Sequence, residues 1–211
     1  EKADIPAGRT MLGLSALASD HPLNMGMLGM HGNYAPNIKQ QEADVVIAIG
    51  MRFSDRVTGN LKTYLKQAKV IHLDIDHAEI NKNVQTDVAI VADCKKSLPL
   101  LTALVNKANH KEWIESFKPL QEREQQRVVN KAIHPTEGPL LMGEIAHAVS
   151  EATKGISVTV TDVGQNQLFS TRYSKYLTPR SIITSGGLGT MGFCLPAAIG
   201  ATFAEKNRPV V

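Results

Sequence analysis

Apolar runs that end in glycine or in a polar residue recur along this chain and alternate with stretches of helical periodicity. The run Asp44–Gly50 is continuous and closed by glycine, whereas Lys69–Asp74 and Ala89–Asp93 each end in an acidic residue. Alternation of this kind predicts an α/β fold with a parallel sheet. Because continuous apolar runs are typical of strands covered on both faces, we expect Val45–Ile49 to be fully buried.

A second α/β pattern follows a segment rich in turn-forming residues, His134–Pro139. Apolar residues between Leu141 and Ala152 have the spacing of an amphipathic helix, and Ser157–Asp162 and Ser181–Ser185 are predicted strands. An apolar helix is predicted over Phe193–Phe203. We therefore predict a first domain over residues 1–125, a linker over residues 126–138, and the first part of a second domain over residues 139–211.

The stretch before the linker carries a helical stripe formed by Trp113, Phe117 and Leu120. From Glu122 to Arg127 the chain is charged and polar, and it lacks apolar residues. The pattern favours a solvated helix face for this run.

Composition excludes several classes of function. Positive residues are scattered, the net charge is only +3, and aromatic residues make up 5% of the chain, which argues against a nucleic-acid partner. No apolar run reaches membrane-spanning length. The two cysteines, Cys94 and Cys194, lie far apart and outside any CxxC, so a reducing compartment and a cytoplasmic location are expected. The histidine spacing provides no metal site.

Two glycine-containing loops follow predicted strands. Gly187–Gly192 fits the pattern G-x-G-x-x-G before a helix, which is equally compatible with a nucleotide or cofactor site and with a packing turn. The second loop, Asp162–Gln167, lies at the end of the predicted strand Ser157–Asp162. Its amide side chains could bind a ligand, or the segment could be an ordinary turn that caps a helix.

Charged residues follow the strands of the first half. Arg52 and Arg56 come after Gly50, where arginine can pair with a phosphate or form a surface salt bridge with Asp55. Asp74 and Asp76 end the next strand, where an acidic residue can accept from ribose hydroxyls or shape a turn.

Several long motifs occur together in a fixed order. They are Gly26–Gly32 (GMLGMHG), Ala48–Gly59 (AIGMRFSDRVTG), Val70–Asp76 (VIHLDID), Thr184–Phe193 (TSGGLGTMGF) and Leu195–Gly200 (LPAAIG). In order and spacing they resemble the large subunits of the acetolactate synthase (acetohydroxyacid synthase) family, and the resemblance covers nearly the whole chain. Ser54 and Asn166 depart from the family pattern, in which aspartate and histidine respectively are usual.

The resemblance implies a Rossmann-like, FAD-associated central domain, here without its first strand, followed by the first part of a domain that binds thiamine diphosphate. It assigns a set of positions to FAD: His31, Gly32, Gly50, Arg52, Arg56, Val57, Asp74, Ile75, Glu79, Asp93 and Cys94. It assigns a second set to thiamine diphosphate: Val163, Gly164, Gln165, Asn166, Gly189 and Met191.

The resemblance also places important groups outside this chain. The Mg2+ ligands are expected beyond Val211, and the glutamate that activates thiamine is expected in a preceding domain. We therefore expect no catalytic or metal-binding residue here and no activity from the chain alone. The family implies 2-keto acid substrates, a homodimer or tetramer, and a regulatory small subunit.

Two other hypotheses stay open at this point. The chain could come from another flavin-containing thiamine enzyme, of the pyruvate oxidase or glyoxylate carboligase type. It could also be a non-catalytic nucleotide-binding module. The motifs Met27–Gly32 and Arg52–Gly59 favour acetolactate synthase over the other thiamine enzymes. An Asp-Gly-Asp-like motif with a downstream asparagine beyond Val211 would favour an enzyme over the binding module.

Overall fold

A computed structural model describes all 211 residues. Its strands are β1 (Ala7–Arg9), β2 (Asn24–Met27), β3 (Val45–Ile49), β4 (Lys69–Asp74), β5 (Val88–Val91), β6 (Thr159–Thr161) and β7 (Ile182–Thr184). Its helices are α1 (Tyr34–Lys39), α2 (Asp55–Thr58), α3 (Cys94–Leu104), α4 (Lys111–Glu115), α5 (Lys118–Glu124), α6 (Asn130–Ile133), α7 (Met142–Ala152), α8 (Gln165–Tyr173) and α9 (Cys194–Ala204). None of the helices is both long and apolar enough to cross a membrane.

The largest sheet is parallel and has the order β3-β4-β5, as the alternating pattern predicts. Strand β4 is central and largely buried, and Phe53, Tyr64 and Leu65 cover it on the side of the main apolar cluster. The expected burial of β3 on both faces is wrong, because Val45 and Ile49 are each 47% exposed. Strand β3 pairs only with β4, so its outer edge and one face lack neighbours.

The second half contains a smaller parallel sheet, β6-β7, which Val158 extends by a bridge to Val210. Helix α9 covers this sheet with its small residues, and Ala201 is buried against Val158 and Val160. The opposite face of α9 is apolar and exposed, with Leu195, Ile199 and Phe203 one turn apart. The helix bounds agree closely with the predicted ones.

The segment between the halves is mostly helical. Helix α5 continues through a π-helical segment, Gln125–Val129, into α6, so the first residues of the predicted linker lie in helix. The predicted apolar stripe is confirmed, because Phe117 packs against Met25 and Ala35 of the first half while Trp113 and Leu120 flank it.

The two halves share one apolar cluster. Tyr176 of the second half is 1% exposed and packs against Leu14 and Met27 of the first. Its backbone N–H donates to Ser19 Oγ at 2.9 Å, and its carbonyl accepts from Ser19 N at 2.9 Å. Burial raises the pKa of the Tyr176 phenol, which donates to the Ser170 carbonyl and stays protonated at neutral pH.

A buried ion pair also joins the halves. Glu124 accepts from Arg172 of α8, and its second oxygen accepts from Tyr34 N at 2.8 Å. The Arg172 guanidinium further donates to the carbonyls of His31 and Gly32. The interpretation of Glu122–Arg127 as a solvated face is therefore wrong for Glu124, whose side chain is 6% exposed and reaches a partner distant in sequence.

The surroundings of two helical glycines predict opposite effects of a glycine-to-alanine substitution. A Cβ atom at Gly143 in α7 would lie 2.5 Å from the Ala132 carbonyl oxygen, whereas a Cβ atom at Gly200 in α9 would meet nothing within 4 Å. We expect Gly143→Ala to lower the free energy of unfolding by about 1 kcal/mol or more, because the backbone of α6 must move. Gly200→Ala should raise it by about 0.5–1 kcal/mol, since alanine loses less entropy in a helix. Urea unfolding measures both, and equal effects would contradict the described α6–α7 contact.

Removal of one partner of the buried ion pair Glu124–Arg172 should lower the free energy of unfolding more than removal of both partners. We expect Arg172→Met to lower the free energy of unfolding by about 3–5 kcal/mol, because a buried carboxylate is left unpaired. The double variant Glu124→Leu, Arg172→Met should recover part of that loss. The exposed pair Lys118–Glu115 is the control, and Lys118→Met should change stability by less than about 1 kcal/mol. Equal effects of Arg172→Met and Lys118→Met in urea unfolding would contradict the buried pair.

Candidate functional site

The carboxyl end of β3 opens into a sharply turned loop. Gly50 and Phe53 both have positive φ, 58° and 48°, and Gly50 has open space beside it. The Phe53 ring anchors the loop by edge contacts with Tyr64 and His72. Asn83 donates to the carbonyls of Arg52 and Phe53 at 3.2 and 3.1 Å, which fixes the backbone from which the Arg52 side chain projects.

The glycine-rich loop after β2 lies against α2. The Met30 N–H donates to the Arg56 carbonyl at 2.8 Å, and a side chain at Gly29 would collide with that same carbonyl. Asn37 bonds to both the N–H and the carbonyl of Gly29, each at 2.9 Å. The structure thus places Gly29 and Met30, which lead into the predicted positions His31 and Gly32, against Arg56 and Val57.

The acidic positions of the first half line the carboxyl ends of β4 and β5. Asp74 is buried and accepts from Asp76 N at 2.9 Å, and Asp76 in turn accepts from Ala78 N. Asp93 accepts from Lys95 N and caps α3, whose first residue is Cys94. These bonds show that the turn and capping roles apply to Asp74, Asp76 and Asp93.

One buried acceptor in this region has no partner. Glu79 Oε1 pairs with Lys82 at 2.8 Å, whereas Glu79 Oε2 is buried and forms no hydrogen bond. Ile75, which follows β4, has a side chain that is 72% exposed. An unpaired carboxylate oxygen can accept from a hydroxyl or amino group.

The predicted positions of the second half also meet at strand ends. Asp162 Oδ1 accepts from Val163 N at 2.9 Å, and Asp162 Oδ2 accepts from Gly192 N at 2.8 Å, so one carboxylate joins the loops after β6 and β7. Gly189 has a φ of 67° and lies against Val163. Gln165 and Asn166 begin α8, Met191 lies in the loop after β7, and all three are exposed.

The two regions adjoin. A Cβ atom at Gly187 would lie 3.5 Å from Nη2 of Arg52, so the guanidinium rests against the glycine loop of the second half. Arg172 of α8 donates hydrogen bonds to the carbonyls of His31 and Gly32. The alternative salt bridge is not formed, because neither Arg52 nor Arg56 pairs with Asp55, which instead accepts from Arg56 N.

Sequence reasoning missed several residues that hold these loops. Glu124 and Arg172 act across the two halves, and no local pattern marks them. Asn37 and Asn83 bond backbone groups 8 and about 30 residues away, so no local pattern marks them either. The bond from Gly192 N to Asp162 could not be predicted from local sequence, because the two residues are 30 positions apart.

Comparisons with known proteins agree with this arrangement. The sequence model of the thiamine pyrophosphate enzyme central domain matches residues 1–101, and that of the C-terminal TPP binding domain matches residues 162–211. The chain is 42% identical over 214 residues to the acetolactate synthase large subunit of Lactococcus lactis. This alignment covers 100% of the chain and 36% of the Lactococcus protein. It is 42% identical over 210 residues to the Escherichia coli acetolactate synthase isozyme 2 large subunit, with 98% and 36% covered. It is 40% identical over 212 residues to tobacco acetolactate synthase 1, chloroplastic, with 100% and 32% covered.

The chain thus spans about a third of the length of these relatives. The two domain models follow one another in the order that the motifs predict, and the identity extends from one end of the chain to the other. This chain belongs to the thiamine pyrophosphate enzymes and is homologous over its full length to a segment of acetolactate synthase large subunits.

Proposed function

We propose that the chain is part of an enzyme that decarboxylates pyruvate and joins the remaining two-carbon unit to a second 2-keto acid, pyruvate or 2-ketobutyrate, in branched-chain amino-acid biosynthesis. The observation that carries the proposal is the pair of loops after β6 and β7, which Asp162 ties together beside Arg52. Ligands of parallel α/β sheets bind at such strand ends.

The loops after β6 and β7 are suited to thiamine diphosphate. The Gly189 carbonyl and the Met191 N–H form no hydrogen bond within the chain, so both are free for a planar heterocycle with donors and acceptors. Gly164 has a φ of 108° and open space beside it, which lets a ligand approach its backbone. When bound, thiamine diphosphate supplies the electron sink for decarboxylation and carbon–carbon bond formation.

The strand ends of the first half are suited to FAD. The unpaired Glu79 Oε2 can accept from a hydroxyl or amino group of a nucleotide. Arg52 and Arg56 are exposed and without ion pairs, so both can pair with phosphate oxygens. The open backbone at Gly50 leaves room for a ligand close to the chain. A Rossmann-like, FAD-associated central domain is part of the proposal.

The remaining parts of the proposal concern organisation. The relatives are named as large subunits, which supports a smaller partner subunit. We also propose that the protein forms a homodimer or tetramer and is located in the cytoplasm. The domain boundaries proposed are residues 1–125 for the central domain, 126–138 for the linker and 139–211 for the start of the thiamine-binding domain. Mg2+ belongs to the same proposal, with ligands beyond Val211.

The activity is tested in the complete protein that contains this chain. With pyruvate, thiamine diphosphate and Mg2+, it should form acetolactate. Asp162→Ala should weaken thiamine diphosphate binding by about tenfold or more, because the loops after β6 and β7 lose the charged acceptor that joins them. The dissociation constant is measured by tryptophan fluorescence and by the dependence of rate on cofactor concentration.

The matched control for this test is Asp20→Ala, since Asp20 is exposed and its side chain forms no hydrogen bond. Its thiamine diphosphate affinity should stay within about twofold of the unchanged protein. A complete protein that forms no acetolactate from pyruvate would refute the proposed activity. Equal affinities in Asp162→Ala and Asp20→Ala would refute the proposed loop site.

Flavin binding is tested separately by visible absorbance after gel filtration. The protein should retain FAD, and Arg52→Ala should lower the affinity by about tenfold or more through loss of a charged phosphate contact. Glu79→Leu should also weaken binding, since the unpaired acceptor is removed.

Arg127→Ala is the control for Arg52→Ala, because Arg127 is an exposed arginine remote from the strand ends. It should retain as much FAD as the unchanged protein. Loss of flavin in all three variants would indicate a general effect on folding. Retention of flavin in Arg52→Ala and Glu79→Leu would refute the assigned flavin positions while leaving the activity intact.

A further inference from the structure

A polar cavity lies where β1 and β2, the connecting helices and α8 meet. Its volume is about 290 Å3, and 16 residues line it, of which five are hydrophobic. None of the positions assigned to FAD or to thiamine diphosphate is among them. The cavity therefore has its own lining, although Arg172 of its wall also donates to the carbonyls of His31 and Gly32.

Three charged side chains line this cavity, and one of them is unpaired. The Glu124 carboxylate is satisfied by Arg172, by Asn33 and by Tyr34 N. Arg9, which ends β1, has no ion pair. Its Nη1 donates to the Leu17 carbonyl at 2.9 Å, whereas its Nε is buried and has no acceptor.

The unpaired guanidinium is unfavourable without a ligand. Burial lowers the pKa of Arg9, because the charged form loses water and gains no carboxylate. The nearby Tyr176 hydroxyl donates to Ser170 and therefore offers Arg9 no negative charge. Arg9 Nη2 also forms no hydrogen bond within the chain, so the guanidinium keeps a free donor group beside the cavity, whereas buried donors nearly always have an acceptor.

Other donors in the cavity wall are also free. Ser19 accepts from Tyr176 N, and its own hydroxyl proton has no acceptor in the chain. The Gln121 side-chain amide forms no hydrogen bond, and Gln121 lies on α5 just before the π-helical segment. That segment contributes Gln125 and Val129 to the wall. π-Helical turns occur frequently at functional sites.

We propose that this cavity is a binding site for a small oxyanion, a phosphate or a carboxylate, with Arg9 as the principal ligand. The excess positive charge and the surplus of N–H and O–H donors both favour an anion. The planar guanidinium matches the oxygens of either group. Because β1 and α8 belong to different halves of the chain, a bound anion stabilises their arrangement.

The test is isothermal titration calorimetry of the complete protein that contains this chain, saturated with FAD and thiamine diphosphate, with inorganic phosphate and, in parallel, with acetate. Sodium chloride at matched ionic strength provides the background, since general electrostatic attraction is screened equally there. We expect one saturable site for one of the two anions. Arg9→Gln should weaken its binding by about tenfold or more, because a charged hydrogen bond in a buried site is lost.

Arg127→Gln is the matched control, because it removes the same charge from an exposed position of the π-helical segment. It should change the affinity by less than about twofold. Gln121→Leu is a second cavity variant, on a half-exposed helix face. It should weaken anion binding several-fold, and it decides the test if Arg9→Gln fails to fold.

The outcomes separate the sources of the anion and decide the proposal. Saturable binding of phosphate alone that depends on Arg9 or on Gln121 identifies a phosphate group as the ligand. Saturable binding of acetate alone with the same dependence identifies a carboxylate. If neither anion saturates, or if Arg127→Gln weakens binding as much as the cavity variants do, the proposed site is refuted.

Discussion

The contact between Tyr176 and the pair Leu14 and Met27 determines how the two halves of this chain are joined. Of the four apolar clusters, this one draws residues from both halves and places a fully buried aromatic ring at the junction. Aromatic side chains bury large apolar areas and have few rotamers, so the ring limits relative motion. The hydrogen bonds to Ser19 on both sides of Tyr176 fix its backbone as well. The approach of Arg52 to Gly187 depends on this junction.

Much of the remaining surface is apolar and uncovered. The chain exposes 12721 Å2, whereas a folded monomer of 22.9 kDa is expected to expose about 9,600 Å2. The excess is similar in size to a large permanent protein interface. It is concentrated on β3, β5 and the outer face of α9, where Val45, Val88 and Phe203 are exposed. The relatives, which are about three times as long, are consistent with additional polypeptide that covers such faces.

Sequence patterns predicted some regular elements well, because burial on one face leaves a local trace, but β1, β2 and α2 were not predicted. The strand Lys69–Asp74 was predicted with its observed bounds, and α9 differs from its prediction by one residue at each end. The convergence of strand-end loops was also predictable, because parallel strands carry their ends to one edge. The exposure of β3 was not predictable from the sequence, because it depends on which strand lies next to Val45 in space. The burial of Glu124 depends likewise on a partner 48 residues away.

The π-helical segment Gln125–Val129 has a consequence for how homologous chains can vary in length. A π turn holds about one residue more than an α turn, so it represents an insertion that the helix absorbs without breaking. Loss of one residue there would restore regular α-helix and rotate α6 by about 100° relative to α5. Val129 would then turn away from the cavity, and α6 would lose its close approach to Gly143. Length differences in this connection therefore act as rotations that alter the junction between the halves.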